Sequence, residues 1–377
     1  MSETKTLTAR CHCSTTHFTL PFPSTTLPLQ VHLCHCTICR TTHGAHAAFH
    51  APLPAGIAPK FISPSGLHTT TTYKHAAAHS FRHFCTTCGC HIGDRSLDGA
   101  TWTISISLFD TADSPDENGI GGMWVFNEHI YTASTGDGGL ASLLPTINNR
   151  ELTSWDTERG NEPAIVNEPT NLNTDTDTDT NIDTETDLED DTLLAECHCG
   201  GISFNISRPR PEYLSSPLSK DWMHLSNNKK WQAILDACSD CRLVTGAHVI
   251  GWLFVPVDHI SPALPETLLL GTSKSYKSSE NVNRTFCGTC GATVFYSERS
   301  RPGIVDIATG ILRGRKGVMV GDWAVWRTAR VGYVDDGLKY DEAFTRSLTE
   351  GLQEWGRKVD GDVRDFEVWD GNLRAGS

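Results

Sequence analysis

Short runs in which apolar and polar residues alternate dominate the chain. Thr101–Leu108 (TWTISISL), Ile202–Ile206 and Trp323–Trp326 repeat with a period of two, which predicts half-buried β-strands. Val249–Val257 is apolar at nearly every position and predicts a strand covered on both faces. Gly, Pro and Asn turns separate these runs. Helical spacing is clear in one place: Phe344, Leu348, Leu352, Trp355 and Val359 fall three or four residues apart, predicting an amphipathic helix over Tyr340–Val359. The longest strongly apolar stretch, His248–Val257, is ten residues, about half of what a bilayer-spanning helix needs. No membrane span is predicted.

A length of 377 residues exceeds one core of ordinary size, so two domains are expected. The net charge of −14 lies almost wholly in the middle: residues 151–196 carry 1 basic and 15 acidic side chains, against 8 and 9 in 1–150 and 22 and 21 in 197–377. The middle contains NTDTDTDTNIDTETDLEDD, which has few apolar groups to bury and repels itself, and so predicts an acidic disordered linker. Neither flank is basic enough for a nucleic-acid footprint. The N-terminus, MSETKTLTARC, lacks the apolar core of a secretory signal. A reducing, cytoplasmic location follows as an expectation, in which the fourteen cysteines are thiolates or metal ligands rather than disulfides.

The flanks repeat one another. The first has CHC (Cys11, Cys13), CHCTICRTTHGAH (Cys34, Cys36, Cys39) and FCTTCG (Cys85, Cys88); the second has CHCGG (Cys197, Cys199), DACSDCRLVTGAH (Cys238, Cys241) and FCGTCG (Cys287, Cys290). Cys39 to Cys85 is 46 residues, and so is Cys241 to Cys287. Tyr73-Lys74 recurs as Tyr276-Lys277, and DGGL at 137–140 as DDGL at 335–338. Such agreement marks a duplicated domain rather than a short solenoid repeat. Expected boundaries are 1–150 for the first copy, 151–192 for the linker and 193–377 for the second, diverged copy. A surface insertion around Lys220–Trp231 accounts for the longer interval between Cys199 and Cys238.

Paired thiolates on tight turns suit tetrahedral zinc, and two pairs complete a shell. Cys11, Cys13, Cys85 and Cys88 would form one closed structural site, and Cys197, Cys199, Cys287 and Cys290 its equivalent. Cys34, Cys36 and Cys39 are three ligands with no obvious fourth. An open position of that kind is the arrangement of catalytic zinc.

The ordered set CxC, CHCxxCR, FCxxCG resembles the glutathione-dependent formaldehyde-activating enzyme family, which includes centromere-protein-V-like domains, once in each flank. That resemblance implies a mainly β protein, with two Mss4-like zinc-binding β domains in tandem, the acidic linker between them and a C-terminal helix. It further implies that Cys34, Cys36 and Cys39 hold the zinc on which glutathione's thiol completes the shell. The activity implied is a carbon–sulfur lyase that joins glutathione to formaldehyde, or in a diverged member to a larger aldehyde or electrophilic metabolite. Three to four zinc ions per chain are expected, with glutathione as co-substrate.

In the second copy Asp236 stands where Cys34 would be. Either it joins Cys238 and Cys241 as a harder oxygen ligand, or it only caps a turn. Arg40 and Arg242 follow the last ligand and are candidates both for holding a glutathione carboxylate and for tying down a loop carbonyl. His46 and its counterpart His248 are candidate general acids, or strand histidines with no chemistry. Gly44 and Gly246 are expected to allow a turn. Cys90 has no counterpart and is expected to be a small buried side chain. His32, His35, His43, His46 and His50 are either a metal trap or solvated loop histidines. A zinc-stabilised binding module and a metal or redox buffer are the alternative functions; the open site speaks against the first, the ordered spacing against the second.

Overall fold

The computed structural model describes residues 3–76, 78–110, 120–157, 192–215 and 229–366. Strand outweighs helix, and the strands build the same sheet twice. In the first copy the hydrogen-bonded order is Thr153–Trp155, Trp124–Ile130, Leu29–Cys34, Ala48–Pro52, Trp102–Ser105, His91–Ser96, Ser80–Cys85 and Thr70–Tyr73. In the second it is Ala324–Trp326, Trp231–Asp236, Ile250–Pro256, Ile304–Ala308, Thr293–Glu298, Val282–Cys287 and Ser273–Lys277. A small three-stranded sheet flanks each: Thr4–Arg10, His17–Pro23 and Lys60–Phe61, then Thr192–Glu196, Ser203–Ser207 and Ile260–Ser261. The extra edge strand Thr153–Trp155 pairs in parallel with Glu128–Ile130, so the first sheet runs past residue 150. Residues 158–191, the bulk of the expected acidic linker, and 216–228, most of the expected insertion, lie outside the described residues.

The period-two and all-apolar runs are found as strands, with local differences. Ile250–Pro256 is buried at every position, as its composition demands. Trp102–Ser105 is shorter than its alternation, because Ile106–Leu108 tightens into a 3-10 turn capped by the Ser105 hydroxyl. Six helices are described: α1 (Thr37–His43), α2 (Gly139–Leu143), α3 (Pro211–Leu214), α4 (Ser239–Thr245), α5 (Val334–Tyr340) and α6 (Glu342–Asp360). Only α6 is long enough to show a hydrophobic period. It starts where the Asp341 carboxylate accepts the Phe344 N–H and stops at Gly361 in the left-handed conformation. Among the described residues no helix is long and apolar enough to cross a membrane.

The copies pack against each other, and their buried residues form one continuous apolar cluster that includes Phe49 and Cys88 from one and Trp231, Trp326 and Phe344 from the other. The contact is made in matched pairs. His46 Nε2 meets Thr309 Oγ1 at 2.8 Å, while His248 Nδ1 meets Ser107 Oγ at 2.7 Å. His12 Nδ1 meets Tyr276 Oη at 2.6 Å, and His198 Nδ1 meets Tyr73 Oη at 2.6 Å. The backbone N–H of His12 donates to Leu243 O in α4 (3.1 Å), and that of His198 to Thr41 O in α1 (3.2 Å). Each CxC turn therefore braces a helix of the opposite copy.

Gly44 and Gly246 end α1 and α4 with φ of 75° and 74°. A Cβ there would lie 2.4 Å from Thr293 O and 2.4 Å from His91 O respectively, each in the opposite copy. The glycines thus serve the turn and the close approach of the copies together.

Candidate metal centres and the cavity beside them

Four groups of donor atoms come together: Cys11, Cys13, Cys85 and Cys88; Cys197, Cys199, Cys287 and Cys290; Cys34, Cys36 and Cys39; and Asp236, Cys238 and Cys241, with all ligand atoms in a group within 4.8 Å of one another. Every cysteine is a free thiol. Sulfur separations of 3.5 Å (Cys11–Cys13, Cys197–Cys199, Cys199–Cys287) and 3.6 Å (Cys13–Cys85) are far beyond a disulfide bond. They match the edge of a zinc–sulfur tetrahedron, roughly 3.8 Å for 2.3 Å bonds. The residues present therefore fit zinc.

Tight turns set up the closed groups. In the CxC turns the N–H of Thr16 reaches Cys11 Sγ at 3.4 Å and that of Ile202 reaches Cys197 Sγ at 3.3 Å. In the CxxCG turns Gly89 and Gly291, both at φ 83°, fold the chain back so that their N–H groups donate to Cys85 O and Cys287 O. The open groups are built otherwise. The first ligand ends a strand, and the next opens a helix as its N-cap: Cys36 Sγ accepts from Cys39 N (3.3 Å) and Cys238 Sγ from Cys241 N (3.2 Å). Asp236 caps the turn and also stands beside the sulfurs. Its Oδ1 accepts the N–H of Cys238 at 2.7 Å, and its Oδ2 lies 3.6 Å from Cys241 Sγ.

Charge balance at these groups falls to a pair of arginines that the sequence repeats two residues before each FC. Three thiolates, or two and a carboxylate, exceed a divalent ion by one negative charge. Arg82 Nη2 lies 3.5 Å from Cys39 Sγ and its Nη1 is 3.6 Å from Asp94 Oδ2; Arg284 Nη1 lies 3.5 Å from Cys241 Sγ. Burial alone would weaken both guanidinium charges, but the adjacent thiolates outweigh it and hold both above the ordinary arginine value.

Arg40 and Arg242 are placed differently. Arg40, 4% exposed, donates from Nε to His35 O (2.9 Å) and from Nη2 to Ser134 O (2.9 Å). Arg242 is buried, donates to Ser107 O of the opposite copy, and lies 3.5 Å over the Tyr340 ring. Their donors hold loop carbonyls in place, the structural one of the two roles expected of them: turning outward would orphan buried carbonyls.

His46 and His248 sit in the contact between copies. Burial, followed by the charge of Arg40, pushes His46 down to about 3. Burial also lowers His248, against the pull of Asp341. Their side-chain partners lie across that contact: Thr309 for His46, and Ser107 for His248. The reading of a solvated histidine cluster is overturned, since His35, His43, His46 and His50 are all at most 3% exposed; His43 stacks on His91 at 4.1 Å. Cys90 is fully buried outside all four groups.

A cavity of about 470 Å3 opens beside the second open group, lined by Asp236, Cys238, Cys241, Arg284, Trp252 and Tyr333 among others. That size suits a small-molecule site. Tyr333 and its counterpart Tyr131 were not singled out by sequence. The signal was present: both stand 43 residues after the last cysteine of the FCxxCG motif, Cys290 and Cys88. Tyr131 packs on the cluster of Cys34, Cys36 and Cys39.

Native mass spectrometry is expected to find three or four zinc ions per chain. A chain that folds with none would remove the metal reading.

Comparison with known proteins agrees with this geometry. The profile of the family described as "glutathione-dependent formaldehyde-activating enzyme" matches residues 6–127 and again residues 223–327, together more than half of the chain. No curated protein matches. A Rhodobacter sphaeroides protein whose crystal structure came from structural genomics is 18% identical, over 35% of this chain and 98% of that one, with a TM-score of 0.23.

Proposed function

The chain belongs to the glutathione-dependent formaldehyde-activating enzyme family in both of its copies, and from that membership we propose that it is a zinc- and glutathione-dependent carbon–sulfur lyase, forming and cleaving the thiol adduct of formaldehyde or of a larger aldehyde or electrophile. The observation that carries this reading is the cavity against Asp236, Cys238 and Cys241. A site needing only stability is served by the closed groups; an open one facing a cavity has room for a reactant.

Cys34, Cys36 and Cys39 would hold one catalytic ion, and Asp236, Cys238 and Cys241 the other. When bound, zinc supplies a vacant ligand position and makes an incoming thiol a thiolate at neutral pH. The chain's own residues do the rest. Arg82 and Arg284 stand against Cys39 and Cys241 and offset the excess negative charge of the donors. Cys36 and Cys238 are the partly exposed members of their groups, so they face the side from which a thiol arrives. Arg284, Arg327 and Arg330 line the cavity together with carboxylates such as Asp240, Asp335 and Asp336, and of these groups the guanidiniums are the ones suited to the two carboxylates of glutathione. Walls such as Trp252 and Phe254 limit water around the reacting carbon. We place the protein in the cytoplasm, where free thiols persist.

The test is exchange NMR of glutathione with a panel of aldehydes. The unmodified chain should accelerate adduct exchange over buffer. Cys238→Ser should remove the second copy's share of that acceleration with the fold intact, because serine is also a good N-cap for α4, and Cys36→Ser and Cys238→Ser together should slow exchange at least tenfold. Cys36→Ser then reads the share of the first copy. No acceleration by the unmodified, zinc-loaded chain with any aldehyde would end the enzymatic reading and leave the binding module.

A further inference from the structure

Tyr131 and Tyr333 share an uncommon backbone. Their φ angles are 61° and 50°, in the left-handed region, which bulky side chains avoid because Cβ crowds the following carbonyl. The sequences around them have otherwise diverged, HIYTAS in one copy and VGYVDD in the other. A glycine or asparagine at either place would make the turn more easily. Retention of tyrosine in both copies points to the side chain rather than to the turn, and strained backbone of this kind gathers at functional sites.

The same contact positions both residues. His35 N donates to Ile130 O at 2.9 Å, and Ala237 N to Gly332 O at 3.0 Å. The residue after the first ligand is thereby pinned to the residue before the tyrosine. Tyr131 packs on the first open group, whereas Tyr333, 51% exposed, shares its cavity with Asp236, Cys238 and Cys241.

We propose that Tyr131 and Tyr333 are catalytic residues of the two open sites, each donating its phenolic O–H as a hydrogen bond to the aldehyde oxygen while the sulfur attacks. The assignment rests on the carbon–sulfur lyase reading. In the step, the sulfur–carbon bond forms and the π pair of the carbonyl moves onto oxygen. That oxygen then takes a proton from water, which has already received the proton of the thiol. Thiol and aldehyde become a hemithioacetal with no further reactant. A phenol is a stronger donor than water, and one fixed in place needs no reorganisation as charge develops on the oxygen. His46, the group that sequence offers for polarising this oxygen, is instead held by Thr309 in the contact between copies.

The full, zinc-loaded chain with Tyr131→Phe and Tyr333→Phe together should show glutathione–formaldehyde exchange slowed by about 10²- to 10³-fold, the usual loss for one oxyanion donor. Zinc content and KM for glutathione should be unchanged. Tyr333→Asn, whose side chain tolerates the left-handed backbone, should raise the unfolding midpoint and still lose the rate of its site. A double variant within twofold of the unmodified chain would overturn the assignment, as would a rate loss accompanied by loss of zinc. If the unmodified chain does not exchange at all, it is the lyase reading that fails, and the role of the tyrosines falls with it.

Discussion

Cys88→Ser is expected to leave no cooperatively folded chain at room temperature, in either copy. Cys88 is fully buried and belongs to a closed group of four sulfurs. A structural zinc site of that kind contributes on the order of 10 kcal/mol or more, comparable to the whole stability of an ordinary domain, about 5–15 kcal/mol. The same apolar cluster that contains Cys88 contains Trp231, Trp323 and Trp326 of the other copy, so their fluorescence should report unfolding along with circular dichroism. Cys36→Ser is the contrast: it keeps an N-cap on α1 and is expected to melt within a few degrees of the unmodified chain. Equal loss of structure in both variants would make the open group a structural one.

Acid is expected to destabilise the protein from the pH at which free histidines take up protons. Burial pushes His46 and His91 down to about 3, and His50 and His129 down to about 4, whereas the same side chains in the unfolded chain titrate near 6.5. With the folded value lowered, the folded state prefers the neutral ring. The stabilisation is complete above about pH 6.5 and is lost as pH falls toward the folded values, because the unfolded chain takes up the protons first. Each histidine contributes about 1.4 kcal/mol per pH unit, so the four together reach about 5 kcal/mol per unit between pH 6 and 4, offset in part by Asp94, which burial raises to about 6 and which therefore takes up its proton in the folded state first. Urea midpoints measured in zinc-buffered solution should be flat from pH 8 to 7 and fall steeply below 6.5. His46→Gln, which retains a donor for Thr309, should reduce that slope by about a quarter. A midpoint at pH 5.5 equal to that at pH 7.5 would contradict the burial of these rings.

What the sequence made legible were the features governed by local spacing. Cysteine intervals gave the duplication and the four donor groups, and the period of Phe344, Leu348, Leu352, Trp355 and Val359 gave the long helix. Gly44 and Gly246 were recognisable as turn residues, though not as points where the copies touch. α1 and α4, seven residues each, are too short for a hydrophobic period, and a cysteine does not announce itself as an N-cap. The burial of the histidines was hidden for a different reason. A polar ring goes inside only when a partner meets it, and the partners of His46 and His248 are Thr309 and Ser107, more than a hundred residues away. The guanidinium beside the sulfurs was hidden for the same reason. Arg40 and Arg242 adjoin the ligands in sequence, while Arg82 and Arg284 arrive from a neighbouring strand and reach them in space.

The crossed bracing of the copies bears on ancestry. The amides of His12 and His198 end on α4 and α1 of the opposite copy, so a gene encoding one copy alone would have to find that support in a second polypeptide. An ancestor of this chain is then expected to have been a symmetric homodimer, in which any substitution struck both open groups at once. Fusion into one polypeptide removed that constraint, and Asp236, unmatched by anything opposite Cys34, is the kind of change that only a tethered pair is free to try on one side.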